Sequence, residues 1–321
     1  MRIVFFGTPQ FAVPSLQKLL ASPHSVSGVV TRPDRPRGRG QRVSESPVKA
    51  LAVAHAAPVT QPDRLDDPGV AQTLRAWKAD LGVVAAYGKL IPESLLTLTP
   101  HGMINVHASL LPKYRGAAPV QRAVIDGETE TGVTIMQMER MLDAGLMLAK
   151  VTRPIGPNET ADVIERDLAV LGANLLLDVV GQIEAGTVQQ ERQDFMLCTY
   201  APKVTKEEGL IDWALPATYI HNRVRGLYPW PHAYTYLDAV RLIVLATRVE
   251  EGPTGARPGM VVDVTRDAIH VATGHQGRIA LEQVQLEGGR PMSVQYFLSG
   301  HRVAPGACFA GRPDGASAGS A

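Results

Sequence analysis

Asn105 and His107 stand two residues apart at the end of an apolar run, Gly102-Met103-Ile104. Residues at that spacing in a strand project to the same side. An amide donor and an imidazole therefore face one spot where a strand ends. Ser109-Leu110-Leu111-Pro112 follows and turns the chain away, with Pro112 unable to extend a ladder. Two donors converging at a strand's carboxyl edge suit acyl transfer, whose tetrahedral intermediate carries an oxyanion that needs fixed hydrogen bonds. The bland alternative is a buried polar pair closing a strand end. The dense Lys113-Tyr114-Arg115-Gly116 segment favours function, because ligands bind beyond the carboxyl ends of parallel strands.

Other candidates carry weaker signals. Asp143 lies in Met141-Leu142-Asp143-Ala144-Gly145, which reads first as an Asp-x-Gly turn, with a carboxylate that orients an imidazole as the lesser alternative. Gly7-Thr8-Pro9 is a glycine turn without the Gly-x-Gly-x-x-Gly spacing of dinucleotide sites, and no phosphate-loop lysine follows it. Five arginines (Arg32, Arg35, Arg37, Arg39, Arg42) fall between positions 32 and 42, with Asp34 as the only acid. Such a segment has nothing to bury, so it reads as a mobile basic loop, and its charge favours phosphate or RNA. The remaining histidines show no metal-ligand spacing, and no metal is expected. Trp213, Tyr228 and Trp230 read as core of a second domain.

The elements that must position these residues are legible from periodicity. Apolar strand-like runs at 3–6, 26–31, 59–61, 81–87 and 103–107 alternate with helical patterns at 14–21, 47–57, 66–78 and 92–98. That order predicts a Rossmann-like α/β domain, a mostly parallel sheet with helices on both faces. Residues 131–138 and 146–154 form an expected antiparallel pair, and 159–185 one long helix. The expected division is a catalytic domain over 1–187, a wrapping linker over 188–208, a C-terminal β-barrel (OB-like) domain over 209–308, and a disordered tail over 309–321. Within the barrel, strands are expected near 241–249, 259–264, 268–272 and 278–284, with a helix at 216–227.

Composition narrows the class. At 321 residues the chain can hold two domains, and its 45% apolar and 20% charged residues are ordinary for a globular protein. The net charge of +1 gives no global field, so nucleic acid would have to be held by local patches. Two cysteines exclude a disulfide scaffold and fit a reducing cytoplasm. No leader pattern or membrane span is expected.

Several segments together resemble the folate-dependent formyltransferases, and within them the methionyl-tRNA formyltransferase family. They are Phe6-Gly7-Thr8-Pro9-Gln10-Phe11-Ala12, Arg35-Pro36-x-Gly38-Arg39-Gly40, the Asn105-to-Pro119 stretch, Thr131 to Met138, and Lys206 to Trp213. The resemblance runs from residue 2 to about 305. It implies transfer of the formyl group of 10-formyltetrahydrofolate to the α-amine of methionine on initiator methionyl-tRNA. The chain is expected to act in the cytoplasm as a monomer. By position the resemblance implies Asn105, His107 and Asp143 as catalytic, and Ser109, Leu110, Leu111 and Pro112 as folate-binding. It places Arg35, Arg37, Arg39 and Arg42 on the tRNA acceptor stem. The pterin is expected beside 81–91, with Leu110 and Leu111 contributing. Ala108 and the Met-Leu-Asp-Ala-Gly context of Asp143 depart from the commoner pattern. The rivals are a formyltransferase for an amino-sugar nucleotide, which would have little use for the arginines, and a non-catalytic RNA-binding protein, which would not need the Asn–His pair.

Overall fold

The computed structural model describes residues 1–37 and 42–310. They form two compact units, one of residues 1–119, 130–154 and 164–202 and one of residues 120–129, 155–163 and 203 onward. This division differs from a break at 187, because two short segments from the first half of the chain pack with the second unit.

The first unit is built on a seven-stranded sheet. Its strands are β1 (Arg2–Gly7), β2 (Ser25–Val30), β5 (Val59–Thr60), β6 (Leu81–Ala85), β7 (Met103–His107), β9 (Glu130–Gln137) and β10 (Met147–Pro154). Between β2 and β5 lie β3 (Arg35–Arg37) and β4 (Arg42–Ser44), and after β7 comes the short β8 (Arg115–Gly116). The order across the sheet is β10-β9-β7-β6-β1-β2-β5. Strands β5, β2, β1, β6 and β7 run parallel, and β9 and β10 add antiparallel. Strand β6 is buried along its whole length, as a parallel strand covered on both faces must be.

Helices α1 (Val13–Leu20), α2 (Pro47–Ala54), α3 (Pro68–Ala76) and α4 (Glu93–Leu96) connect the strands. Proline in the first turn starts α1, α2 and α3, where its missing N–H costs nothing. Ser46 caps α2 by accepting the Lys49 N–H at 3.1 Å, and Asp67 caps α3 from Gly69. The long helix α6 (Ala161–Ala185) is the one described helix long and apolar enough to cross a membrane. Leu168, Leu176, Val179 and Val180 are nevertheless fully buried, so it is a core helix here. The 187–202 stretch is fastened to this unit: Met147 and Glu191 exchange backbone hydrogen bonds, and β11 (Tyr200–Ala201) pairs with β8.

The described arms of the arginine segment pair with each other. Arg35 faces Ser44 and Arg37 faces Arg42 in an antiparallel ribbon. Arg35 is exposed, Arg37 and Arg42 are placed by backbone register alone, and Arg39 lies outside the described residues.

The second unit includes α5 (Pro119–Ile125) from residue 120 onward, α7 (Ala217–Gly226), α8 (Val294–Gly300) and an antiparallel sheet. The sheet runs β12 (Ala233–Leu237), β13 (Val240–Glu250), β16 (Arg278–Leu286), β15 (Ile269–Ala272) and β14 (Val261–Val264), with β17 (Met292–Ser293) pairing to β16. Its two edges are bridged by the last described residues. Ala310 exchanges hydrogen bonds with Tyr236 of β12, and Val261 of β14 with Gly306 and Ala307. Phe309, expected in the tail, is 4% exposed and stacks on Trp213 at 5.6 Å. Phe309 and Ala310 therefore belong to the fold, and residues 311–321 of the expected tail lie outside the described residues. Trp213 is core as expected, Tyr228 is half-buried, and Trp230 is 49% exposed.

Candidate active site

Parallel register brings the carboxyl ends of β1, β6 and β7 to one edge, with Gly7 beside Ala85 and Ala85 beside Val106. Asn105 sits between Val84 of β6 and Met136 of β9, and His107 opposite Thr134. The two share a face as their alternation requires. The Asn105 side-chain amide is partly exposed and makes no hydrogen bond to any described residue. It is a donor left open beside a strand edge.

His107 is 5% exposed and more tightly held. Its Nε2 lies 2.9 Å from the Tyr114 carbonyl, so the ring carries its proton there. Nδ1 faces Asp143 Oδ2 at 3.7 Å, an ion-pair distance too long for a hydrogen bond. Asp143 Oδ2 in turn accepts the Gly116 N–H at 2.9 Å. With Nε2 occupied, only the Nδ1 side of the ring is open to a reacting group, and a proton there places the imidazolium beside a carboxylate. The Asp143 turn thus places its carboxylate between the His107 ring and the Gly116 N–H.

Asp143 adopts a left-handed backbone, φ 48°, and Gly145 lets the hairpin close because an added Cβ would lie 1.9 Å from the Gln137 carbonyl. Asparagine tolerates the left-handed region as well as aspartate does. Asp143→Asn therefore tests the charge alone. It should lower kcat about tenfold or more at an unchanged melting temperature, and a variant with wild-type kcat would reduce Asp143 to a turn residue.

The loop after β7 is pinned from within. Ser109 is fully buried, and its hydroxyl donates to the Lys113 carbonyl at 2.6 Å. Buried Thr134 donates to the Ser109 carbonyl and accepts the Leu111 N–H. Leu111 is 2% exposed in a cluster with Met136 and Met147. Leu110 is half-buried against Gly132, and Pro112 is half-buried. Of the four residues assigned to folate by position, Ser109 and Leu111 thus shape the loop from inside rather than line an opening. On the Asn105 face of β7, Met103 packs into a core cluster with Leu96, Met138 and the partly buried Ile91. Residues 81–85 are core.

Sequence reasoning missed the group that holds the Asp143 turn. Arg115 is 1% exposed, and its Nε and Nη2 donate to Gln193 Oε1 at 3.1 and 2.7 Å. Gln193 Nε2 donates to the Asp143 and Gly145 carbonyls, each at 2.9 Å. Phe195 stacks on the same guanidinium at 4.7 Å. Gln193 stands in a stretch without periodicity, so only its burial betrays it. A cavity of about 650 Å³ lies elsewhere on this unit, lined by Leu96, His101, Ile104, Gln137 and Arg140 among others, and contains none of the expected site residues. Among the described residues no cluster of His, Cys, Asp or Glu is placed to hold a metal ion.

A parallel sheet with an antiparallel extension, followed by an antiparallel second unit, agrees with the family comparison. Residues 1–180 match the formyl transferase model and residues 203–302 the model of the formyl transferase C-terminal domain. The chain belongs to the formyl transferase family. Among curated relatives, the methionyl-tRNA formyltransferase of Geotalea daltonii is 46% identical over 308 residues, covering 96% of this chain and 97% of its own. That of Heliobacterium modesticaldum is 46% identical over 317 residues, covering 96% and 100%. Among solved structures, an N-formyltransferase from Helicobacter canadensis, in complex with folinic acid and dTDP-3-aminofucose, superposes with a TM-score of 0.67. It is 16% identical and covers 87% of this chain and 98% of its own, a likeness of fold.

Proposed function

We propose that the protein transfers the formyl group of 10-formyltetrahydrofolate to the α-amine of methionine esterified to initiator tRNA. The observation that carries this is the unpartnered Asn105 amide beside the His107–Asp143 pair, in a chain nearly half identical to methionyl-tRNA formyltransferases over almost their whole length. The folate, when bound, supplies an electrophilic formyl carbon on N10. Asn105 donates to the formyl oxygen as negative charge develops on it, and His107 addresses the same oxygen from its Nδ1 side. Asp143 balances the charge on the ring and, through water, helps move the amine's proton towards the leaving nitrogen. No enzyme nucleophile is needed, because the amine attacks directly. The enzyme acts in the cytoplasm as a monomer.

Arg35, Arg37, Arg39 and Arg42 hold the acceptor stem in this reading, supported by the ribbon that β3 and β4 form and by the scarcity of acids within it. Removing one arginine–phosphate ion pair should flatten the salt dependence of binding by about one log–log unit. Arg39→Ala with Arg42→Ala should therefore weaken use of charged tRNA and lower that slope by about two units, leaving the folate KM in place. Unchanged slopes would mean the ribbon is merely solvated. The functional reading itself is tested by incubating the protein with 10-formyltetrahydrofolate and charged initiator tRNA. Formylmethionine on the tRNA is the expected product, and its absence overturns the reading.

A further inference from the structure

A second polar constellation lies across the sheet from His107, and the chemistry above does not use it. From β1 the chain adds β2 and β5 on one side and then β6 and β7 on the other, so the topology reverses between β1 and β6. Such a reversal opens a crevice beyond the strand ends. Register sets Gly7 beside Ala85 and Phe6 beside Val30, so Thr8, Arg32 and Tyr87 emerge together. The Thr8 hydroxyl ties them, donating to the Tyr87 carbonyl at 3.2 Å and accepting the Arg32 N–H at 3.4 Å.

Two polar groups in this crevice are unsatisfied. Tyr87 is 2% exposed with its ring edge-on to Phe6, and its hydroxyl meets no partner among the described residues. The buried Nε of Arg32 has none either. The Arg32 guanidinium lies over Gly88, where an added Cβ would be 3.5 Å from Nη1. Asp34, the nearest acid in sequence, is engaged by Lys49 and Gln61. Burial pushes the Tyr87 hydroxyl up to about 12, against a smaller pull from the Arg32 charge, so it is a neutral donor. A half-buried cation and a buried hydroxyl without acceptors are costly, and donors gathered without an acceptor suit an anion.

We infer that Arg32 and Tyr87 form a phosphate subsite for the 5′-phosphate of the nucleotide that carries the methionyl ester. The inference rests on the tRNA substrate proposed above. Neighbouring strands are about 4.8 Å apart, so the end of β2 lies roughly 14 Å across the sheet from that of β7. The Arg32 side chain reaches back over part of that distance. The reacting amine and the 5′-phosphate are separated by one ester and one ribose, a span shorter than that between the two strand ends. A terminal nucleotide lying across the strand ends would then present its amine to Asn105.

The test uses the full chain with charged initiator tRNA, comparing wild type with Arg32→Gln and Tyr87→Phe in KM for each substrate, salt dependence and melting temperature. Arg32→Gln should raise the tRNA KM about 10- to 100-fold, the scale of a charged hydrogen bond, and flatten the salt slope by about one unit. Tyr87→Phe should raise the tRNA KM about 3- to 10-fold while melting no lower than wild type, because it removes a hydroxyl that is unpaired in the free enzyme. The folate KM should stay within about twofold in both. A tRNA KM and salt slope that do not move overturn the subsite. So does a rise confined to the folate KM, which would place a folate carboxylate there, or a parallel loss of both substrates with a lowered melting temperature. A wild type that forms no formylmethionyl-tRNA overturns the functional reading and the subsite with it, whereas an active wild type with unmoved variants overturns the subsite alone.

Discussion

Asn105→Ala should lower kcat for formyl transfer about 100- to 1000-fold, the usual consequence of removing one oxyanion donor, at a melting temperature close to wild type. The amide has no hydrogen-bond partner among the described residues, so nothing in the fold depends on it. His107→Ala should match that loss of kcat but not the unchanged stability. Its Nε2 holds the Tyr114 carbonyl at 2.9 Å in a buried setting, and freeing that carbonyl should cost about 1–3 kcal/mol. Single-turnover rates and thermal melts of both variants check this. An Asn105→Ala enzyme within about tenfold of wild type would remove the oxyanion assignment.

The second large effect is expected far along the chain, at Gln193. Gln193→Ala leaves the Arg115 guanidinium buried without its acceptor and releases the Asp143 and Gly145 carbonyls. Losing the acceptor of a buried guanidinium costs about 1.5–3 kcal/mol, and kcat should fall as well because the turn carrying Asp143 is no longer fixed. Gln193→Glu separates the two roles. It restores an acceptor to Arg115 while losing both donations to the turn, so stability should return towards wild type and kcat should not. Chemical denaturation beside steady-state kinetics reads both. A Gln193→Glu enzyme with full kcat would show that the turn holds itself.

The strand that carries Asn105 and His107 is legible in the sequence because a two-residue alternation fixes which side chains share a face, whatever packs against them. The parallel sheet, the β9–β10 pair and the long helix are legible from their own periodicities. Periodicity does not reveal which polar residues are buried. Gln193 looks like any solvated residue in sequence, yet with Arg115 it holds the hairpin, and the Ser109 hydroxyl closes its own loop. Strand β12 and helix α8 leave little trace, each being short and dominated by tertiary packing. The arginine segment looks loose for want of apolar residues, and pairing between its two arms supplies the order that burial does not. Asp143 has no sequence route to His107, because the hairpin that brings them together is a long-range feature of the fold.

The second unit gathers residues 120–129 and 155–163 with residues from 203 onward, and residues 306–310 bridge its sheet edges. This arrangement has a consequence for synthesis. A ribosome delivers the chain from its N-terminus, and domains generally fold as they emerge. The first unit has its strands and long helix in hand by residue 202, whereas the second must hold two early segments in waiting until its closing residues appear. Chains arrested near residue 290 should accordingly show a protease-resistant first unit and a digestible remainder. Resistance of residues 203–290 at that stage would mean that the edge-bridging strip is dispensable to folding.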